Sequence, residues 1–167
     1  MANDIVLRDV TDDDLPIFFE QQLDPDANYM AAFTTKDPTD RDAFTAHWAR
    51  IRSDKTIINQ TVLYDGQVAG SVASYEDAGH LEVTYWFGQE FWGKGIATRA
   101  LAAFLAYQTT RPIYARAAKD NLASLRVLQK CGFVITGEDK GFANARGQEI
   151  EEYMLTLAAE TPASESE

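Results

Sequence analysis

A strand, a glycine-rich turn and a helix follow one another between residues 80 and 108. HLEVTYWF, residues 80–87, alternates apolar and other side chains as a strand with one buried face does. The positions on its expected core face are Leu81, Val83, Tyr85 and Phe87. From Gly95 to about Gln108, apolar residues recur at helical spacing, at Ala97, Leu101, Phe104 and Leu105. A strand that turns directly into an amphipathic helix predicts an α/β domain with helices packed on a sheet.

The hydrophobic periodicity of the whole chain gives the element order β, α, α, β, β, β, α, β, α, β, β. Strands are predicted at residues 5–8, 56–64, 67–75, 80–87, 112–117, 133–142 and 148–157. Helices are predicted at residues 11–22, after residue 39, at 95–108 and at 121–131. The segment 24–37 mixes turn formers with apolar residues, which is more typical of a partly helical flap than of a regular element.

Local signals mark where three of these elements begin or end. Thr11 with Asp14 three positions later resembles a capping box that opens the first helix. Asp65-Gly66 is the two-residue signal for a tight hairpin between two strands. The last helix is capped by Asp120 or Asn121, ends at Gly132 and is expected to bury one side. The residues on that side are Leu122, Leu125, Leu128 and Cys131.

Length and charge limit the number of domains and the class of partner. The chain has 167 residues, 46% of them hydrophobic, which suits one domain over residues 1–158 with an acidic, disordered tail at 159–167. Lysine and arginine number 15 against 26 aspartates and glutamates, a net charge of −11, which argues against nucleic acid as a partner. An acidic surface favours cationic, amine-bearing partners, although the same acidity also serves solubility alone.

Cysteine usage and hydropathy indicate a cytoplasmic protein. Cys131 is the single cysteine, so neither an internal disulfide nor a cysteine metal cluster can form, and we expect it to pack under the last helix. The chain start lacks a basic segment followed by an apolar run, and no stretch approaches the roughly 18 apolar residues of a membrane span. We therefore expect neither secretion nor a membrane partner. For the oligomeric state we expect a monomer or a homodimer.

The glycine-rich turn can be compared with known phosphate-binding loops. Gly88, Gly93 and Lys94 match most of a nucleotide-binding P-loop, but Gly95 stands where that motif needs a hydroxyl for magnesium. The dinucleotide fingerprint also fails, because its third glycine position holds Thr98. A strand, a glycine turn and a helix start still form an anion site, since the first helical N–H groups lack intrahelical partners. A pyrophosphate bound without magnesium suits this loop, whereas glycines that only shape a turn remain the alternative.

Two motifs resemble the GNAT superfamily of N-acetyltransferases. WGKGIA, residues 92–97, is similar to the family's acyl-coenzyme A loop Gln/Arg-x-x-Gly-x-Gly/Ala, with Trp92 in place of Gln/Arg. The longer run EFWGKGIAT looks like the branch that acetylates the N-termini of ribosomal proteins, apart from Arg99 where that branch often has Glu. NLASLRVLQKCGF, residues 121–133, is similar to the same branch's Asn-x-x-Ser-x-x-x-Leu-x-x-x-Gly-Phe helix.

The resemblance implies a GNAT fold, which is a mixed sheet of six to seven strands with splayed fourth and fifth strands and about four flanking helices. It implies transfer of an acetyl group from acetyl-coenzyme A to a primary amine by direct attack in a ternary complex, without a metal. We expect a protein N-terminal α-amine as acceptor. The alternatives are a small-molecule acceptor (a polyamine, an amino acid or an antibiotic) and an acyl-coenzyme A-binding module without turnover.

The resemblance also assigns roles to residues. Glu82 matches the carboxylate often given the role of base, with His80 as the alternative base and an ordinary solvated glutamate as the bland alternative. Ser124 would be the acid that protonates the thiolate, because Leu128 occupies the position of the tyrosine that many members use. A backbone N–H between residues 86 and 88 would stabilise the oxyanion. Residues expected at the coenzyme are Phe87, Gly88, Trp92, Gly93, Lys94, Gly95, Ile96, Ala97, Thr98, Asn121, Arg126 and Lys130.

The acceptor is expected to meet Trp86 and Tyr29, together with two loops on the rigid scaffold, residues 24–37 and 137–147. Asp24, Asp26 and Asp37 would attract a cationic amine, although solvated surface carboxylates explain them equally well.

Overall fold

A computed structural model describes residues 4–159 of the chain. The predicted acidic tail lies outside the described residues from residue 160 onward. Seven strands form one mixed sheet, as the sequence predicts. They are β1 (Ile5–Asp9), β2 (Ile58–Tyr64), β3 (Gln67–Asp77), β4 (His80–Phe87), β5 (Ile113–Ala118), β6 (Val134–Ala143) and β7 (Gln148–Leu157). Their spatial order is β1-β2-β3-β4-β5-β7-β6, and only the β4–β5 pair is parallel.

Five α-helices cover the sheet in the described part of the chain. They are α1 (Leu15–Gln22), α2 (Pro25–Ala31), α3 (Arg41–Ser53), α4 (Ile96–Tyr107) and α5 (Leu122–Lys130). Helix α2 lies inside the segment 24–37, which confirms that this flap is partly helical. None of the helices within residues 4–159 has both the length and the apolarity needed to cross a membrane.

The main core lies between one face of the sheet and helices α4 and α5. Phe104 and Leu101 of α4 and Leu128 of α5 are almost completely buried there, against strand residues such as Val83 and Phe87. This confirms the core face predicted for residues 80–87. The other face meets the N-terminal helices, where aromatic residues of α1 and α3 form a second cluster. Its buried members are Phe18, Phe19, Phe44 and Trp48.

Strands β4 and β5 separate almost as soon as they meet. Their register contains one pair, Glu82 with Tyr114, whereas β3 and β4 pair along eight residues each. Both strands run on past this pair toward their carboxyl ends, so the sheet has a gap there. The gap confirms the splayed fourth and fifth strands implied by the sequence, and we call it the β4–β5 gap.

The backbone confirms the predicted Asp65-Gly66 hairpin and shows a second one between β6 and β7. Asp65 and Gly66 join β2 to β3 with φ angles of 50° and 80°, the left-handed conformation that a two-residue turn of this kind requires. The loop 144–147 joins β6 to β7 and ends at Gly147, whose φ is 66°.

Two local predictions need correction. The first helix does not run from residue 11, because Asp12–Asp14 form a 3-10 turn before α1 begins at Leu15. The predicted capping box itself is confirmed, because Asp14 accepts from the Thr11 N–H at 2.9 Å. The Asp14 carboxylate also binds Arg8 and Thr61, and the residue is 2% exposed. Leu122 was predicted on the buried side of α5 and is 61% exposed. It occupies the first turn of the helix and lies further round the axis from Leu128 than Leu125 does, so it falls outside the buried stripe.

Candidate active site at the β4–β5 gap

The start of α4 has three backbone donors without an acceptor inside the helix. Gly95 precedes the helix with a φ of 75°, and the first intrahelical bond runs from the Arg99 N–H to the Gly95 oxygen at 3.1 Å. The N–H groups of residues 96–98 therefore have no acceptor within the helix. Gly93 also has a φ of 75°, and a Cβ at either glycine would meet no atom of the described residues within 4 Å. The backbone conformation, and not crowding, requires glycine at both positions, and the open space beside them leaves room for a phosphate.

Side chains around this loop divide into core and surface. Ile96 is 1% exposed and Phe87 is 7% exposed, so their side chains belong to the core and not to the surface of the loop. Lys94 is exposed and free to swing toward a phosphate. The Trp92 indole N–H donates to the Phe87 carbonyl at 3.1 Å, which ties the loop to the end of β4. Asp65 is exposed in the β2–β3 turn and accepts from the Asp4 N–H.

Helix α5 begins at the same edge of the sheet. Because β4 and β5 are parallel, the segments after their carboxyl ends, α4 and α5, start side by side around the gap. Of the two predicted caps, Asp120 and Asn121, the N-cap is Asn121, whose side-chain oxygen accepts from the Ser124 N–H at 3.2 Å. Arg126 and Lys130 are exposed along this helix. The positive ends of two helix dipoles therefore face one opening.

Cys131, the C-cap of α5, packs against the first turn of α4. It is half-buried, and its Sγ lies 3.5 Å from the Thr98 carbonyl. Burial raises the pKa of the Cys131 thiol. A protonated, half-buried thiol agrees with the packing role expected from the sequence.

Ser124 has a partner that the sequence did not reveal. The Tyr85 hydroxyl of β4 lies 2.7 Å from the Ser124 Oγ. Burial raises the pKa of Tyr85 to about 12. The sequence predicted Tyr85 only as a core residue, because alternation identifies the buried face of a strand but not a contact 39 positions away along the chain.

The backbone of β4 directs two N–H groups into the gap. The Gly88 N–H donates to the Ala69 oxygen of β3 at 3.0 Å, so Gly88, Trp86 and Thr84 present their backbone groups to β3. Phe87 and Tyr85 alternate with these residues along β4. Their backbone N–H and C=O groups therefore point the other way, toward β5. The Trp92 contact with the Phe87 carbonyl agrees with this direction. Beyond Glu82 the register gives these positions no pair in β5.

Glu82 lies at the closed end of the gap, on the sheet face opposite α4 and α5. It is 6% exposed, so it is not an ordinary solvated strand glutamate. Its Oε2 is 3.7 Å from the Arg116 Nε, while Arg116 binds Glu152 at 2.8 Å and Asp139 at 3.3 Å. Burial raises the pKa of Glu82, Arg116 opposes that shift, and the neighbouring carboxylates of Asp77 and Glu152 add to it. The carboxylate is thus a stronger base than an exposed glutamate.

His80, the alternative base, is two residues from Glu82 on the same face. Its ring packs edge-on against Tyr114 with 4.7 Å between centroids, and it is exposed. The structure therefore places both candidate bases at the β4–β5 pair but buries only Glu82.

Arg146 joins the two segments expected to contact the acceptor. Its guanidinium stacks on the Tyr29 ring at 4.0 Å, donates to the Tyr29 carbonyl at 2.7 Å and forms two 2.9 Å bonds to Asp120. Next to it, the Asn144 amide donates to the Thr34 carbonyl at 2.7 Å. Residues 137–143 of the predicted loop belong to strand β6, so the connecting loop is 144–147. The flap 24–37 and this β6–β7 loop form one wall, a relationship between distant segments that the sequence alone did not indicate.

The acidic residues of the flap are largely engaged in local bonds. Asp24 caps α2 by accepting from the Asp26 N–H, and Asp37 accepts from the backbone and hydroxyl of Thr39. Trp86 donates its indole N–H to the Gln21 carbonyl of α1, which fixes its ring on the α1 side of the sheet. A cavity of about 280 Å³ lies between α1, Val68 of β3 and residues 88–91.

Comparison with known protein families and sequences shows what the chain is similar to. Residues 4–134 match the family described as "Acetyltransferase (GNAT) domain". The chain is 29% identical over 126 residues to the "Putative ribosomal N-acetyltransferase YdaF" of Bacillus subtilis, which covers 70% of this chain and 69% of that protein. It is also 29% identical over 86 residues to the "Uncharacterized N-acetyltransferase p20" of Bacillus licheniformis, covering 49% of this chain and only about half, 48%, of that relative.

A solved structure shares the architecture. The spermidine N-acetyltransferase of Vibrio cholerae, crystallised with CoA and spermine, superposes with a TM-score of 0.78 at 18% identity and covers 92% of this chain and 95% of that one. Similarity at this identity concerns the fold, whereas the family match extends over most of the sequence. The chain therefore belongs to the acetyltransferase (GNAT) domain family.

Proposed function

We propose that this protein transfers the acetyl group of acetyl-coenzyme A to a primary amine by direct attack in a ternary complex. The observation that carries the proposal is the β4–β5 gap, which has two helix starts at its open end and the buried Glu82 at its closed end. The N–H groups of residues 96–98 and the open space beside Gly93 and Gly95 suit the pyrophosphate of the coenzyme. Lys94 in this loop and Arg126 and Lys130 on α5 are exposed and would neutralise further phosphate charge.

In this proposal the chemistry proceeds through groups that line the gap. The amine nitrogen attacks the acetyl carbonyl carbon, and the Phe87 N–H, with the Tyr85 N–H as the neighbouring donor, stabilises the resulting oxyanion. Glu82 takes the amine proton through water, helped by its raised pKa. The carbon–sulfur bond then breaks, and Ser124 gives its proton to the departing thiolate and later recovers one from solvent.

For the acceptor, we infer a protein N-terminal α-amine. The motifs at residues 92–97 and 121–133 support it, as does the relative named as a ribosomal N-acetyltransferase. The wall formed by Tyr29 and Arg146 would lie along the peptide that follows the amine. A polyamine or another small amine is the second candidate, favoured by the net charge of −11 and by the fold neighbour bound to spermine.

Thiol release from acetyl-coenzyme A tests the proposal. Three acceptors separate the candidates: a lysine-free peptide with a free N-terminus, an N-acetylated peptide that contains lysine, and spermidine. We expect turnover with the first, with mass spectrometry locating the acetyl group on the α-amine. Turnover only with spermidine would support the small-molecule alternative, and coenzyme binding without turnover on a broad amine panel would overturn the enzymatic proposal.

A matched pair of variants tests the base. Glu82→Gln should slow turnover by tens of fold or more. Glu76→Gln, in the exposed part of β3, removes the same charge and should retain the wild-type rate. Equal rates in both variants would contradict the role of Glu82.

A further inference from the structure

The Tyr85–Ser124 pair is the one hydroxyl–hydroxyl contact among the described residues that joins a strand bordering the gap to a helix that starts there. Tyr85 is on the core face of β4, and Ser124 is in the first turn of α5. The 2.7 Å separation between the two oxygens is that of a strong O–H···O bond. Neither the motifs nor the periodicity assigns Tyr85 any part in the reaction.

We propose that Tyr85 is a positioning residue for Ser124: its phenol O–H donates to the Ser124 Oγ and thereby directs the single Ser124 proton into the β4–β5 gap. This inference rests on the proposed function, because it requires Ser124 to act as the acid. The same hydrogen bond stabilises the negative charge that develops on Oγ as the Ser124 O–H bond breaks and the new sulfur–hydrogen bond forms.

The chemistry of the two hydroxyls favours this direction of donation. A phenol is a stronger acid than an aliphatic alcohol, so it is the better donor of the pair, and serine has two lone pairs to accept. Burial raises the pKa of Tyr85 to about 12, which keeps the phenol protonated across neutral and mildly alkaline pH. Tyr85 therefore remains a donor wherever the enzyme works.

The proposal also explains why Ser124 needs assistance. An alcohol is a much weaker acid than a thiol. Proton transfer from serine to the coenzyme thiolate is therefore uphill unless the serine alkoxide that it leaves is stabilised. The Tyr85 hydrogen bond and the positive end of the α5 dipole both provide it. The Ser124 backbone N–H is occupied by the Asn121 side chain, which fixes the residue in the first helical turn.

A double-mutant cycle with Tyr85→Phe and Ser124→Ala tests the inference. We expect Tyr85→Phe to lower kcat about tenfold, the value of one good hydrogen bond, with the KM for acetyl-coenzyme A within about twofold of wild type. In the Ser124→Ala background the same substitution should change kcat by less than about twofold, because the residue it supports is absent. Tyr107→Phe, on an exposed α4 side chain, is the control and should keep the wild-type rate.

Several outcomes would overturn the inference. A merely structural role would lower kcat by the same factor in both backgrounds, together with a lower Tm. A wild-type rate for Ser124→Ala would show that Ser124 is not the acid, so Tyr85 would have no acid to position. The proposed acetyl transfer would stand in that case. Absence of turnover in the wild-type protein itself would instead reject the proposed function.

The pH profile gives a second readout that does not depend on Tyr85→Phe folding well. Replacing Tyr85 with 3,5-difluorotyrosine keeps the hydroxyl but lowers its pKa, so the phenol loses its proton in a lower pH range. We expect the alkaline limb of kcat to move to lower pH in that protein. An alkaline limb identical to that of the wild type would overturn the donor role.

Discussion

Arg116 lies 3.7 Å from the buried Glu82 carboxylate while it binds Glu152 more closely, at 2.8 Å. One cation is therefore shared among three carboxylates, since Asp139 is also within 3.3 Å. Glu82 receives the weakest part of this compensation, and burial dominates its pKa. The arrangement leaves a carboxylate at the gap that is both ionisable and basic.

The first prediction concerns pH. Glu82 acts in its ionised form, so kcat/KM should fall in acid, and its raised pKa should place that fall above the value of about 4.3 for an exposed glutamate. Arg116→Gln removes the cation that lowers this pKa, so the acid limb should move to still higher pH. Arg52→Gln, which breaks the exposed pair with Asp12, changes the net charge equally and should leave the limb in place. A limb that is unchanged in Arg116→Gln would show that Glu82 is not the titrating group.

The second prediction concerns the coenzyme loop. Gly95→Ala places a Cβ on a residue with φ of 75° and should cost about 1 kcal/mol of stability and weaken coenzyme A binding about tenfold or more, measured by calorimetry. Gly79→Ala is the matched control, because Gly79 has a φ of 83° and the same open surroundings but lies in the β3–β4 turn. Both variants should lose similar stability. Equal coenzyme affinity in the two would argue against binding at the start of α4.

The third prediction concerns the wall formed by the flap and the β6–β7 loop. Arg146→Met breaks the bonds to Asp120 and the stacking on Tyr29, which together hold the flap in place. We expect the KM for the amine to rise about tenfold while coenzyme affinity stays constant, because the coenzyme meets other elements. Lys55→Met removes an exposed cation outside both segments, in the connection between α3 and β2, and should change neither value. A rise in KM of the same size in both variants would implicate net charge and not the wall.

The fourth prediction concerns stability. Asp14 is 2% exposed and binds Arg8 at 2.7 Å and 2.9 Å and Thr61 at 2.6 Å, and these bonds hold its pKa below the usual range. Asp14→Asn should lower the free energy of unfolding by about 3 kcal/mol at pH 7, measured by urea denaturation. The control is Asp9→Asn, at the exposed last residue of β1, which should have little effect on the free energy of unfolding.

The sign of the pH dependence follows from the depressed pKa of Asp14. Ionised Asp14 stabilises the fold above the unfolded-state pKa of about 3.9, and that contribution is lost as the pH falls toward the folded-state value. The difference between wild type and Asp14→Asn should therefore be constant from pH 5 to 7 and shrink below about pH 4. A difference that grows in acid would contradict the ion-pair interpretation.

The sequence predicted features that depend on neighbours along the chain. Alternation identified the core face of β4, and Asp65-Gly66 identified the first hairpin, because both signals are local. The prediction that Leu122 is buried was wrong, because helical spacing does not indicate where a buried stripe ends relative to the sheet beneath it.

The features missed by the sequence depend on contacts between distant segments. The Tyr85–Ser124 and Tyr29–Arg146 contacts join residues 39 and 117 positions apart. The environment of Glu82 depends on side chains of other strands, among them Arg116 of β5 and Glu152 of β7, which no periodicity within β4 reports. Arg116 carried a signal of its own, since a charged residue in the alanine-rich strand IYARAA indicates a partner, although its identity required the fold.

The single register pair between β4 and β5 also bears on motion. It divides the sheet into two leaves, β1–β4 and β5–β7, whose backbones are joined at one point and spread apart on the side where both helices start. A molecule bound between β4 and β5 would connect the two leaves and restrict their motion relative to each other. Amide hydrogens lining the opening should then exchange with deuterated solvent more slowly when the cosubstrate is bound, while those at the outer edges of the sheet keep their rates.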